Sequence, residues 1–156
     1  MNPCPCGLSG DNSGRCNCSA EQIQHYRSRI SGPLLDRIDI QIEVLRPDKS
    51  ILSEPVNNIE TSAVVRKRVI AARQLQLQRA GKANALLGGS ELARFCSIDG
   101  RRLQLLETAA EQLFLSPRAC HRILKVVRTI ADMDGAETIK VNHIAEAIAF
   151  RCLRTG

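Results

Sequence analysis

Tryptophan is absent, and the aromatic types together make up only 3% of the 156 residues. Without rings, a core has to be built from Leu, Ile, Val and Ala, a composition that suits packed helices. No run of about 18 apolar residues occurs, which excludes a membrane-spanning helix. The N-terminus has no basic-then-apolar signal pattern, so secretion is not expected. Also missing are a Gly-x₄-Gly-Lys-Ser/Thr loop to cradle phosphates and an apolar strand ending in paired acids to hold Mg²⁺. No nucleophile–His–acid set is visible, and there is no internal repeat or low-complexity tract. Alone, the chain is not expected to hydrolyse ATP.

What is present begins with 44% hydrophobic and 24% charged residues. That balance fits one globular domain, or one domain with part of another. The net charge of +6 and pI near 9.2 suit contact with nucleic acid or nucleotide phosphates, or solubility alone. Seven cysteines are present. An odd number without a secretion signal points to a reducing compartment, the cytoplasm, rather than a disulfide framework. Cys96, Cys120 and Cys152 stand singly among apolar residues and read as small hydrophobes.

Residues 1–18 are rich in Pro, Gly, Asn and Ser and read as an irregular loop. Ser19 and Gln22 form a capping box that starts a helix running to about Ile30. Ile38 to Val44 alternates apolar and polar, the period of a half-buried strand, and Arg46–Asn58 reads as a connector. Everything beyond is helical: 60–80 closed by Gly81, a short turn at 90–95, a helix over 100–114, one from Ser116-Pro117 to Asp134 closed by Gly135, and a last one over 142–151.

Cys4, Cys6, Cys16 and Cys18 make two Cys-x-Cys pairs. On extended backbone, residues two apart share a side, so four thiolates can surround one tetrahedral ion, a structural zinc arrangement. His25 is a possible replacement for one sulfur. Reduced, unliganded thiols and a redox switch are the other readings. Arg37 stands at the entry to the strand, where its fork could meet a phosphate or pair with Asp36 or Asp39. On the helix from Ser116, Ala119, Ile123, Val127 and Ala131 share one side, and Arg118, Arg122 and Lys125 the other. The basic side, like Arg66, Lys67, Arg68, Arg73 and Arg79 of the long helix, either meets water or touches DNA. No DNA-binding residue is singled out by the pattern.

The opening Met-Asn-Pro-Cys-Pro-Cys-Gly, the segment Ser-Gly-Pro-Leu-Leu-Asp-Arg-Ile-Asp at 31–39 and the run Ser-Pro-Arg-Ala-Cys-His-Arg-Ile-Leu-Lys-Val-Val-Arg from 116 resemble magnesium-chelatase-like AAA+ ATPases. His143, Glu146, Ala147 and Arg151 fit that family's closing helix. The order points to the ComM (YifB-like) subgroup. The resemblance implies a mainly α chain: 1–47 a remnant of the ATPase core with the cysteine loop, 48–58 a linker, 59–153 the helical lid. It also implies that both Walker motifs lie upstream of Met1, in a longer protein. By the same resemblance Asn2 is the sensor-1 residue orienting the attacking water. Arg37 is the arginine finger acting on a neighbouring subunit's ATP, and Arg118 the sensor-2 arginine at the γ-phosphate. The implied partners are the remaining ATPase part, neighbouring subunits of a hexameric ring, and DNA, with ATP and Mg²⁺ in the intact protein. A chelatase motor subunit and a non-enzymatic zinc-bearing DNA- or protein-binding module are the alternatives.

Overall fold

The computed structural model describes residues 1–10, 14–44 and 60–151. Among these the protein is mainly helical, with seven α-helices and no strand. They divide into two compact units, each with its own contacts. The first is Met1–Ile38 with Glu43 and Val44; the second is Asp39–Ile42 with residues 60–151. The expected linker at 48–58 and Cys152 lie outside the described residues.

In the first unit, helix α1 (Ala20–Ser28) starts at the capping box read from the sequence. The Gln22 N–H donates to Ser19 Oγ at 3.2 Å, and the Ser19 N–H to Gln22 Oε1 at 3.0 Å. Two otherwise orphaned donors are thereby satisfied. Helix α1 has no buried residue. It is tied instead to the N-terminal loop, through Arg27 Nε donating to the Pro3 carbonyl at 3.2 Å. A single turn, α2 (Gly32–Leu35), follows, entered through Pro33, whose missing N–H costs nothing at that position.

The second unit holds α3 (Ser62–Ala80), a 3₁₀ turn at Asn84–Leu86, α4 (Gly89–Phe95), α5 (Gly100–Gln112), α6 (Pro117–Met133) and α7 (Val141–Ala149). Helix α6 is its axis. Ser116 Oγ accepts the Ala119 N–H at 3.2 Å to start it. Gly135, at φ 64°, ends it, with the Ala136 N–H reaching back to the Ala131 carbonyl at 2.8 Å. Only a left-handed residue closes a helix in that way, which is why glycine stands there. Ile123, Val127 and Ala131 of α6 pack with Leu92, Cys96, Leu106, Ile139, Ile144 and Ala147 into one core. Each large aliphatic side chain buried there contributes about 1.5–3 kcal/mol. Helix α7 starts at a histidine: His143, fully buried, accepts the Lys140 N–H at Nδ1 (3.0 Å) and faces Asp134 at Nε2 (3.1 Å). With Nδ1 occupied as acceptor, the ring proton belongs on Nε2.

Two expectations need correction. Ile38–Val44 is not a strand. Ile38, Ile40, Ile42 and Val44 are 39–81% exposed, and the backbone bonds there run from the Ile38 N–H to the Leu35 carbonyl at 3.0 Å and from the Gln41 N–H to the Phe150 carbonyl at 2.7 Å, neither of them to a strand. Alternation sets which way side chains point, but a strand also needs a ladder partner. Helix α5 stops at Gln112, two residues early, because Phe114 takes the left-handed φ of 50° that ends a helix. On α3 only Ala72 and Gln76 are buried. Val64, Val65, Val69, Ile70, Leu75 and Leu77 stay exposed, so that helix meets α6 through its C-terminal half alone.

Candidate metal centre and nucleotide-sensing residues

The N-terminal loop gathers the four cysteines. Pro5 sets the backbone for a turn closed by the Gly7 N–H to the Cys4 carbonyl at 3.0 Å, with Gly7 at φ 78°. This turn, and not the extended backbone expected, brings the sulfurs of Cys4 and Cys6 to 3.3 Å. Cys16 comes up from the far side of the loop, 3.8 Å from Cys4 and 3.6 Å from Cys6. With Cys18, all four sulfurs lie within 4.8 Å of one another. Thiolates at about 2.3 Å from a single zinc stand about 3.8 Å apart, so the spacing fits one tetrahedral ion. His25 is outside this group and borders the groove beside Cys6 and Cys18.

The thiols do not ionise alike. Burial opposes ionisation of Cys4, yet hydrogen bonds from Cys6, from the Ser9 and Leu8 backbone and from Cys16 outweigh it and bring the group to about 6. For Cys16 the Cys18 backbone favours the thiolate, but burial and the sulfurs of Cys6 and Cys4 prevail and push it up. Cys18 gains from the Cys6 backbone, yet the Cys6 thiol, burial and Cys4 drive it up to about 12. One thiolate thus forms easily, and its charge holds Cys16 and Cys18 protonated until a cation arrives. The isolated cysteines behave differently. Burial pushes Cys96 up to about 11 and raises Cys120, as expected of inert thiols.

Asn2 is exposed, with its amide about 3.5 Å from where a Cβ on Gly7 would sit. Arg37 follows α2 as an exposed residue, its N–H bonded to the Leu34 carbonyl at 3.0 Å. Asn2 and Arg37 belong to the first unit and Arg118 to the second. Arg118 is exposed in the first turn of α6, where free backbone N–H groups and the positive helix end favour an anion.

The other basic residues of α6 have partners. Arg122 pairs with Asp39 at 2.6 Å, and Lys125 donates to the Ala85 carbonyl at 2.9 Å. Arg79, read as a surface residue of α3, instead forks onto Asp132. Asp132 is 3% exposed and also holds Arg128 Nε at 3.1 Å and Asn84 Nδ2 at 2.8 Å. Arg128, 4% exposed, spends its remaining donors on the Ala136 and Glu137 carbonyls. This network was missed in the sequence. Its signal was the opposite charges of Arg128 and Asp132 at i,i+4 beside the apolar stripe.

Residues 1–52 match the model of the family "Magnesium chelatase, subunit ChlI", and residues 59–151 that of "Magnesium chelatase, subunit ChlI C-terminal". The chain is 44% identical over 153 residues to the competence protein ComM of Haemophilus influenzae and 42% to the YifB protein of Escherichia coli K12. It is 32% identical over 154 residues to protein Mb2921c of Mycobacterium bovis. These alignments take in 96–98% of this chain and 30% of each relative, so the chain spans less than a third of their length. No helix among the described residues is long and apolar enough to cross a membrane.

Proposed function

The chain belongs to the magnesium-chelatase ChlI family and is of the ComM/YifB type, and from that premise we propose that it forms the sensor and lid portion of an AAA+ motor that couples ATP hydrolysis to movement on DNA. The observation that carries the reading is the order of the two family matches along the chain, with Arg118 in the first turn of α6 in the second. In this reading Asn2 orients the attacking water. Arg118 meets the γ-phosphate of ATP from the lid, and Arg37 reaches the ATP of the adjacent subunit in a ring. A guanidinium fork suits each phosphate contact. The similarity to a competence protein favours DNA as substrate over a porphyrin. ATP turnover by the full-length protein that rises with branched DNA tests this, and turnover indifferent to DNA would favour the chelatase reading.

These 156 residues should have no ATPase activity and bind ATP weakly. They contain no phosphate-cradling loop, and two arginines add charge to a γ-phosphate without enclosing the β-phosphate. Turnover above background that vanishes in Arg118→Ala would overturn this.

Cys4, Cys6, Cys16 and Cys18 hold one structural zinc in this reading, supported by their sulfur spacing. Four sulfurs complete the coordination and leave no position for substrate, so the ion braces the loop that carries Asn2. Since Cys16 and Cys18 are protonated without metal, binding at pH 7 should release about two protons from them, and affinity should fall as pH drops. Metal analysis of protein purified without chelator should give about one zinc per chain. Stoichiometry unchanged in the Cys16→Ser, Cys18→Ser double variant would rule the site out.

A further inference from the structure

We infer that the second unit carries a binding pocket for a small phosphate-bearing ligand, about 15 Å along α6 from Arg118. The cavity, of about 400 Å³, lies between the end of α3, α4, the start of α5 and the α6–α7 connection. That volume falls within the range of small-ligand sites.

Its chemistry is that of an anion receptor. Arg79, Arg94, Arg102 and Arg128 stand in the wall, against the carboxylates of Asp99 and Glu137. Asp132, just behind, is shared by Arg79 and Arg128, so one carboxylate answers two guanidiniums. Even counting Asp132, four cations face three anions. Arg102 is held by Asp99 and by the Ile139 carbonyl at 3.0 Å, which fixes its fork. Arg94 lies 5.0 Å from the centre of the Phe95 ring and, among the described residues, has no carboxylate partner. Stacking on a ring holds a guanidinium plane while leaving its N–H edges free for oxygen acceptors.

A second observation points the same way. Residues 97–99 at the entrance to α5 line the same cavity, which brings the positive end of a 13-residue helix next to it. Phosphate oxygens, three per group and nearly dianionic, answer several donors together better than a carboxylate does. Phe95, Ile98 and Ile139 leave an apolar wall for the organic part of a phosphate ester.

The test titrates the 156-residue chain, labelled with ¹⁵N, with pyrophosphate and separately with AMP at low salt. Shifts should move at residues 97–102 and 137–139 and saturate. Arg94→Gln, at an exposed position, should weaken binding about tenfold, and Arg118→Ala should leave it unchanged, which separates this pocket from the proposed ATP contact. The inference is overturned by shifts centred on residues 116–120, or by affinity indifferent to Arg94→Gln. It is equally overturned if a single-stranded oligonucleotide binds at these residues and neither small ligand does.

Discussion

Replacing Asp132 by Ala should destabilise the second unit by about 3–5 kcal/mol. A unit of this size is stable by about 5–15 kcal/mol in total, so a large part of its stability disappears and melting should fall by roughly 15–30 °C. The reason is the arrangement of charge. Asp132 accepts from Arg79, Arg128 and Asn84 together. Arg128 is 4% exposed and is fixed at its other nitrogens by the Ala136 and Glu137 carbonyls, so it cannot swing out to water. Removing the carboxylate strands a buried cation, which costs far more than the pair gains over an apolar replacement. Arg79, with its side chain 23% exposed, can turn toward solvent and should matter less. Asp132→Asn separates shape from charge, since it keeps the acceptor and loses the compensation. Urea unfolding of Asp132→Asn within about 1 kcal/mol of the parent would show that hydrogen bonding and not charge holds the network. The double change Arg128→Met, Asp132→Leu should recover part of the loss.

The helices were legible because their ends are written in local chemistry. Ser19 with Gln22, Ser116 with Pro117, Gly81 and Gly135 each satisfy or release backbone groups within a few residues of themselves, and such signals need no tertiary context. Ile38–Val44 misled for the opposite reason. Its alternation describes side-chain direction, while a strand exists only through a second strand. The four cysteines were readable as a group, but the turn that joins Cys4 to Cys6 depends on Pro5 and on Gly7 at positive φ, and Cys-x-Cys spacing alone does not reveal it. Arg79 lay furthest beyond the sequence. Its partner is 53 residues away, and on α3 it looks the same as Arg66 or Arg73, which are exposed. The apolar residues of α3 raise the converse problem. Val65 and Val69 continue the face that buries Ala72 and Gln76, and periodicity cannot say where the helix they would cover ends.

In the full-length protein, Arg37→Ala should lower ATP turnover by about a thousandfold while leaving ATP binding nearly unchanged. An arginine that reaches a neighbour's nucleotide acts on charge that develops as the γ-phosphate leaves, so its loss falls on the rate and little on ground-state affinity. Local structure suits that task. Pro33 starts α2, and the N–H groups of Asp36, Arg37 and Ile38 bond back to the carbonyls of Gly32, Leu34 and Leu35 at 2.9–3.0 Å. The backbone carrying Arg37 is therefore fixed while its side chain is exposed. Arg37→Lys should rescue little, because a point charge does not reproduce the planar fork. The measurement that isolates the role mixes subunits. Arg37→Ala subunits keep their own phosphate loop, and subunits disabled in that loop keep Arg37, so a ring containing both should regain turnover that neither has alone. Arg118→Ala, proposed to act from the lid on its own subunit's ATP, should not be rescued in the same mixture. No recovery on mixing would place Arg37 in its own subunit's site, and turnover of Arg37→Ala within about threefold of the parent would remove it from the machinery altogether.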